Sequence, residues 1–386
     1  MPAQVSSRRV AATTGSTRTA RPRPARPRRR TTAGGLAAAA TAALVLTGAP
    51  ASAADHAPVV VAEGLVGPLS LDVTPRGDVV VAQSFAGLLS RVDRRGGRTD
   101  LVALPGEEVA GVSAASASGV LYTRSLGEGP DAVARLERVD RRGRTHLVAD
   151  LAAYERAANP DGETVYGLRD ASPACLEEVA AQSPPGFRGR YTGEVYSHPY
   201  ATADLRGGRT AVADAGGNAL LSVDARGRVD VVAALPAQPV VLPPDLVAAF
   251  GLPACVGGQT YWWEAVPTDV EVGPDGALYA SLLPGGPEDP SLGARGSVVR
   301  VDPSTGEVDT VLDGLLGATG VAVGDDGTVY ATELFGGRVL ALAPGDDAPR
   351  TVLEAPTPAA VEVAGDDLYV TTDVFGPQGQ VVRVRA

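Results

Sequence analysis

Three histidines, two cysteines and two adjacent tryptophans are the scarce chemical resources of this 386-residue chain. His198 and Asp269 each stand at the start of an alternating apolar run. A histidine relays protons or ligates metals, and a carboxylate does the same. Two ligands are too few for a divalent cation such as calcium, which takes six to eight oxygens. Asp161, Glu163, Glu194 and Glu264 are the acids available to complete such a set. The competing reading is that His198 and Asp269 satisfy backbone groups at their strand starts. Tyr261-Trp262-Trp263-Glu264 gathers both tryptophans in a chain that is only 4% aromatic. Such rings can stack on a sugar or another flat ligand. They can equally plug a channel or pack over a disulfide, and the sequence leaves both readings open. His56 and His146 fall in an N-terminal tail and an outer strand, where they read as incidental.

Several chemistries are excluded. Every basic residue is arginine, so lysine Schiff-base catalysis and a P-loop lysine are ruled out. No G-x-S-x-G elbow or H-E-x-x-H helix occurs. Two cysteines cannot build a four-Cys zinc site, and three scattered histidines argue against a His-rich one.

The elements that must position these residues are repeats. A Gly- or Asp-containing turn followed by an alternating run recurs at 75–83, 116–124, 206–214, 273–281, 324–332 and 364–372. A Val-Asp pair follows in four copies: Val92-Asp93, Val139-Asp140, Val223-Asp224 and Val301-Asp302. Each unit reads as four short antiparallel strands, the pattern of a β-propeller blade. The last unit ends on its third strand, 381–386, and the run from Val59 to Leu65 resembles the missing fourth. The expectation is therefore an all-β chain with a single six-bladed propeller domain over 54–386, its ring closed by the N-terminal strand. The long insertions, near 126–132, 155–199, 236–266 and 283–296, all fall on one face of that disc. Elaborated loops on a rigid scaffold commonly carry function.

Residues 1–35 are basic, 36–46 are apolar but too short to span a bilayer, and Ala51-Ser52-Ala53 follows. That order reads as a signal peptide over 1–53, cut after Ala53, and predicts a secreted protein. Nine of the 34 arginines and none of the 45 acids lie in 1–53, so the remainder carries a formal charge of -20. Such a surface repels nucleic acid and anionic membranes, and no second stretch suggests a membrane anchor. In a secreted protein Cys175 and Cys255 are expected to pair. Closing that 80-residue loop would stabilise by roughly 4 kcal/mol.

Three stretches carry a resemblance: Val148-Ala149-Asp150-Leu151-Ala152-Ala153-Tyr154-Glu155 with Asn159-Pro160-Asp161-Gly162, then 212–221 (VADAGGNALL), then 267–276 (PTDVEVGPDG). The units resemble NHL-type propeller repeats, and these stretches resemble the secreted ScyD/ScyE family. Where that family shows Asn-Pro-Tyr-Gly, this chain has His198-Pro199-Tyr200-Ala201. The resemblance implies a propeller without implying a reaction. Gluconolactonase-like propellers use Glu, Asn and Asp metal ligands, and no such triad maps onto this chain. Two functions follow as expectations. One is a monomeric binding scaffold that takes a small-molecule, saccharide or protein ligand on the elaborated face, through His198, Asp269, Tyr261, Trp262, Trp263 and Glu264. The alternative is a metal-dependent hydrolase or lactonase with His198 and Asp269 as ligands.

Overall fold

The computed structural model describes residues 57–114, 119–205, 207–287 and 290–386. The expected leader, its cleavage site and His56 lie outside these residues. The described chain opens with β1 (Val59–Leu65) and then β2 (Pro68–Val73), β3 (Val79–Gln83), β4 (Leu88–Val92) and β5 (Arg98–Ala103). Next come β6 (Glu108–Ser113), β7 (Val120–Leu126), β8 (Val133–Val139) and β9 (Thr145–Asp150). The first long insertion holds α1 (Leu151–Ala158), β10 (Val165–Gly167), α2 (Pro173–Gln182) and β11 (Arg190–Thr192). A third meander is β12 (Pro199–Leu205), β13 (Arg209–Asp214), β14 (Ala219–Val223) and β15 (Val229–Ala234). The second insertion holds β16 (Gln238–Val241), α3 (Pro244–Ala249) and β17 (Thr260–Trp263). There follow β18 (Pro267–Val272), β19 (Leu278–Leu282), β20 (Gly296–Val301) and β21 (Val308–Leu315), then β22 (Ala318–Val323), β23 (Val329–Glu333), β24 (Arg338–Leu342) and β25 (Arg350–Glu354). The chain ends with β26 (Val361–Ala364), β27 (Asp367–Thr372) and β28 (Gly379–Arg385).

These strands form seven four-stranded antiparallel sheets, and helices are few. Five sheets are consecutive meanders, and another joins β26, β27 and β28 to β1. Val59 there lies opposite Arg383 and Leu65 opposite Gly379. The first strand of each meander packs against the next: β2 on β6, β6 on β12, β12 on β18, β18 on β22, β22 on β26 and β26 on β2. The fold is a β-propeller. Strands such as β3 (VVVAQ) and β14 (ALLSV) are buried along their whole length, because both faces of each sheet are covered by neighbours. The layers between sheets are built from valine, leucine and alanine, as where Val80, Ala82 and Leu89 meet Val109, Val112 and Tyr122.

The Val-Asp signature has a local cause. Asp93 Oδ1 accepts the N–H groups of Arg95 and Gly97 at 2.8 and 3.0 Å, closing the turn between β4 and β5. Asp140 does the same for Arg142 and Arg144, and Asp224 for Arg226 and Arg228. A short acid that bonds backbone amides two residues on is the Asx turn. These amides hold the three carboxyls below their ordinary values. In the fifth copy Ala343 stands at this position, and the turn closes through its carbonyl, which accepts from Asp346 N–H at 3.1 Å.

The seventh sheet corrects one expectation. Segments 155–199 and 236–266 read as irregular loops, yet together they fold into a sheet ordered β11-β10-β17-β16. Tyr166 pairs with Tyr191, Gly167 with Trp262, and Pro239 with Trp262 from the other side. Strands of three or four residues are too short to display alternation, and the two insertions that share the sheet are separated by the whole third meander. This unit has its own core of Leu168, Cys175, Val179, Leu242, Val247, Val256 and Tyr261. Cys175 and Cys255 form the expected disulfide, with Cα atoms 5.9 Å apart, tying α2 to the second insertion. No helix among the described residues is long and apolar enough to cross a membrane.

The β1 seam can be tested at Leu65, which is fully buried against Leu71, Val79 and Val381. Leu65→Ala is expected to destabilise the protein by about 2–5 kcal/mol in urea unfolding, as a core truncation does. A change within about 0.5 kcal/mol, the range of a surface substitution, would show that β1 contributes little to the fold.

Candidate functional site

Three insertions meet around one cleft of about 490 Å³. The first supplies Phe187, Arg188 and Tyr191, the second Leu242, Phe250, Tyr261, Trp263 and Glu264, and the 283–296 loop Gly286, Pro287 and Leu292. Alternation along β17 decides which aromatics face it. Tyr261 and Trp263 point to the cleft, with ring centroids 4.2 Å apart, and Phe187 lies 5.0 Å from Tyr261. Trp262, one residue between, lies outside the cleft lining and carries the Arg169 guanidinium 3.9 Å from its ring centre. Gly286 has φ +102°, and a Cβ there would stand 2.9 Å from the Trp263 ring. Glycine thus lets the loop close over the indole.

The polar equipment of the cleft is compact. The Arg188 guanidinium lies 3.5 Å over the Tyr191 ring and pairs with Glu194 at 2.5 Å and Glu264 at 3.5 Å. Burial works to lower the Arg188 pKa, but Tyr191, Glu194 and Glu264 outweigh it and hold the value above the ordinary one. Burial pushes the Tyr261 hydroxyl up to about 12, and Tyr191 further still, so both stay protonated donors. Tyr261 donates to the Arg188 carbonyl at 2.9 Å. The indole N–H of Trp263 is buried and has no acceptor among the described residues.

The other sequence-derived candidates sit elsewhere. His198 stands immediately before β12, with Nε2 2.5 Å from Glu108 and Nδ1 3.2 Å from the Tyr196 hydroxyl. Its backbone N–H donates to Asp214 at 2.7 Å. Asp269 accepts the backbone N–H groups of Val270 and Val321, both at 2.9 Å. The hydrogen-bond partners of His198 and Asp269 have no residue in common, and neither residue lines the cleft. Among the described residues, no group of three or more His, Cys, Asp and Glu side chains is arranged to hold a metal ion.

A layer of acids escaped the sequence reading. On the first strand of each blade-like sheet, the residue after the buried apolar one is Asp72, Ser113, Asp204, Glu271, Ala322 or Glu362. Glu271 and Glu362 interact directly, with Asp72 and Asp269 nearby. Burial raises Asp72 to about 6 and Asp269 to about 7, and it raises Glu271 and Glu362 well above the ordinary range.

A second polar network joins the first two motif stretches and reaches Val266, the residue before the third. Asn218 Nδ2 donates to Asp161 Oδ2 at 2.8 Å, and Asn218 Oδ1 accepts Val266 N–H at 3.0 Å. Tyr166 also donates to Asp161, at 2.8 Å. Asp214 takes Ser197 at 2.5 Å and Gly217 N–H at 3.2 Å. Oriented with its amide nitrogen inward, Asn159 donates to Asp161 at 3.1 Å and Glu155 at 3.2 Å. Glu155 is buried with one oxygen unpartnered, and burial followed by repulsion from Asp214 and Asp161 raises it to about 8. Glu163 and Glu194 take no part in this network, although Glu194 reaches the cleft through Arg188.

No protein-family model matches the chain, and no curated protein sequence matches it either. Solved structures match in shape. A glucose dehydrogenase superposes with a TM-score of 0.52 at 16% identity, covering 86% of this chain and 99% of its own. A putative oxidoreductase (glucose dehydrogenase) from Thermus thermophilus gives 0.50 at 17% identity, covering 85% and 99%. Virginiamycin B lyase from Staphylococcus aureus gives 0.45 at 16%, covering 79% and 77%. At such identities the likeness speaks for the propeller fold alone.

Both polar networks can be tested in solution. Acids with raised folded-state pKa values hold protons that the unfolded chain has already released. Stability therefore falls as pH rises from about 4 through 6–8, the range of Asp72, Asp269 and Glu155. The melting temperature is expected to drop by about 5 °C or more between about pH 5 and pH 8.5, with Glu271→Gln flattening the slope. A melting temperature that climbs over this interval would contradict the burial of the acid layer. Separately, Asn218→Ala strands Asp161 and the Val266 amide and is expected to cost about 2–4 kcal/mol in chemical unfolding. A neutral effect would show that the network is replaceable by water.

Proposed function

We propose that residues 54–386 form a secreted, monomeric six-bladed β-propeller of the ScyD/ScyE type that binds a small-molecule ligand in the insertion cleft. In this reading the six sheets whose first strands pack in cyclic order are the blades, and the seventh sheet is a platform mounted on them. The supporting observation is that three insertions, far apart in sequence, converge on one aromatic-walled cleft. Pockets of a few hundred Å³, mostly apolar with a few placed polar groups, are the usual form of a small-molecule site. Secretion is supported by the leader-like N-terminus and by the Cys175–Cys255 disulfide.

The hydrolase alternative rests on His198 and Asp269 as joint metal ligands. Each already has its own partners, and Asp269 spends both carboxylate oxygens on backbone amides. The dehydrogenase, lyase and gluconolactonase names among the structural neighbours come with identities of 14–17% and bring no reaction to this chain.

A fragment library screened by ligand-observed NMR separates the two readings. Fragments are expected to bind, and Gly286→Val, whose Cβ would stand 2.9 Å from the Trp263 ring and push the loop off it, is expected to weaken them tenfold or more, about 1.4 kcal/mol. His198→Ala and Asp269→Asn should leave them within about twofold. Binding lost in the latter pair and kept in Gly286→Val would move the site from the cleft to the channel.

A further inference from the structure

The formal charge of -20 beyond the leader is spread unevenly around the ring. In an antiparallel meander, the turns joining first to second strand and third to fourth lie at one end of the sheet. The insertions leave from the other end, so these short turns make up the face opposite the cleft. In β2–β5, β6–β9 and β12–β15 they are 74–78 (TPRGD), 93–97 (DRRGG), 114–119 (AASASG), 140–144 (DRRGR), 206–208 (RGG) and 224–228 (DARGR). Together they hold nine arginines and four aspartates. In the other three blade-like sheets they are 273–277 (GPDGA), 302–307 (DPSTGE), 324–328 (GDDGT), 343–349 (APGDDAP) and 365–366 (GD), with eight acids and no arginine. Widening every turn by two residues on each side keeps both signs. It adds Arg91, Arg98, Arg138 and Arg209 against Asp72, Asp204 and Asp230 to the first group, and Arg300 and Arg350 against Glu271, Asp309 and Asp367 to the second. β2 packs on β6 and β6 on β12, while β18 packs on β22 and β22 on β26, so each group is a contiguous half of the ring.

The arginines of the first group are available. Three of its four aspartates, Asp93, Asp140 and Asp224, are engaged by the backbone amides of their own turns. Arg144 pairs with Asp140 at 2.9 Å and Arg228 with Asp230 at 2.7 Å. Arg76, Arg94, Arg141 and Arg142 are exposed, and their side chains have no hydrogen-bond or ion-pair partner among the described residues. The turns also abut. A Cβ on Gly77 would stand 3.2 Å from Arg94 Cδ, which sets the Arg94 stem over the turn that carries Arg76. Gly227 has φ +81°, and a Cβ there would stand 2.2 Å from the Val148 carbonyl. The turn of Arg226 and Arg228 therefore presses on β9 of the preceding meander. The guanidinium groups form a band along an arc.

A guanidinium is a planar fork that takes a carboxylate or sulfate two oxygens at a time. A flat anionic membrane or a stiff polyanion laid on this face would press on the acidic half as well. A flexible chain can follow the arc and stop at its ends. At physiological salt the Debye length is about 8 Å, and a sheet of four strands is already about 15 Å across. A chain on the band is thus largely screened from the acidic half. None of these turns carries an aromatic residue, the usual platform for the bases of a single-stranded nucleic acid. We propose that the arginine band of the first three meanders binds a flexible acidic polysaccharide. The proposal stands apart from the cleft reading, because none of these turns lines the cleft.

The test uses the secreted form from residue 54, because the nine leader arginines would themselves hold a polyanion. Labelled oligogalacturonate and heparin oligomers are the carboxylate and sulfate probes, read by fluorescence anisotropy. Dextran oligomers, a thymidine homo-oligomer and phosphatidylglycerol vesicles are the neutral, nucleic-acid and membrane arms. At least one acidic oligomer is expected to bind with Kd below about 100 μM in about 50 mM salt, and about tenfold or more weakly by about 200 mM. Replacing Arg94, Arg95, Arg141 and Arg142 together by glutamine should weaken it tenfold or more. Replacing the same four by lysine should weaken it about threefold, since the charge stays and the fork is lost. Arg350→Gln, on the acidic half, and Gly286→Val, at the cleft, should each leave it within twofold. Near-ultraviolet circular dichroism of each variant controls for folding. If the glutamine quadruple misfolds, the pairs Arg94→Gln with Arg95→Gln and Arg141→Gln with Arg142→Gln are read separately, each expected to weaken binding threefold or more. Failure of both acidic oligomers to bind, binding unchanged in the glutamine variants, or binding lost in Gly286→Val would overturn the proposal. Dextran, the thymidine oligomer or the vesicles binding as tightly as the acidic oligomers would overturn it too.

Discussion

Asn218 is the point on which the arrangement of the insertions depends. Its amide spans two segments that the chain separates widely. On one side its nitrogen donates to the Asp161 oxygen that also accepts Tyr166, and on the other its oxygen accepts Val266 N–H. Its backbone carbonyl accepts Leu235 N–H at 2.8 Å, at the exit from the third meander. One buried residue thus fixes the start of the first insertion, the departure of the second and its return. Asn218 holds a positive φ of +48°, a conformation that asparagine tolerates better than most residues. Val266 holds +50°, which a β-branched residue rarely adopts. That strain persists because the Val266 N–H is held by Asn218 and its carbonyl accepts Leu283 N–H at 3.0 Å. The dihedral turns the chain from Glu264, at the cleft, into Pro267 at the head of β18. Backbone strain and cleft geometry are therefore coupled through one residue.

The three motif stretches singled out in the sequence meet at this point: Glu155, Asn159 and Asp161 from the first, Asp214 and Asn218 from the second, and the Val266-Pro267 junction leading into the third. Their sequence signal was real, but its physical content was legible only in part. The hairpin turn at 214–218 was readable from Gly-Gly and the flanking strands. That its polar ends are buried was not, because the partners come from another insertion. The repeats were legible because their determinants are local. A turn closed by Asp93, Asp140 or Asp224 through amides two residues on needs no distant partner.

Non-local features were the ones missed. The insertion sheet joins strands of three or four residues from segments whose disulfide partners are 80 residues apart. Reading 261–264 as a loop grouped Trp262 with Trp263. Reading it as a strand would have split them, since neighbours on a strand face opposite ways. The acid layer was available to sequence reasoning and overlooked. Comparing the six first strands one residue past the buried apolar position aligns Asp72, Asp204, Glu271 and Glu362. An acid recurring where neighbouring positions are apolar is the informative exception to burial rules.

The two acidic networks play different physical parts. In the Asn218 network most carboxylate oxygens have donors, so the cost of burial is offset by hydrogen bonds and the network specifies one arrangement. In the inner-strand layer Glu271 and Glu362 face one another with Asp72 and Asp269 close by, and the simplest relief is for some of them to keep protons near neutral pH. Neither network contributes a residue to the cleft lining, whose walls come from Tyr261, Trp263, Phe187 and the glycine-lined loop at Gly286. The scaffold supplies fixed positions, Asn218 and the disulfide fix the two insertions relative to it, and the third loop closes on Trp263 only because Gly286 has no side chain. A site assembled this way can change its ligand by substitutions in three loops while the sheets beneath stay as they are, since the strands of the six blade-like sheets contribute no residue to its lining.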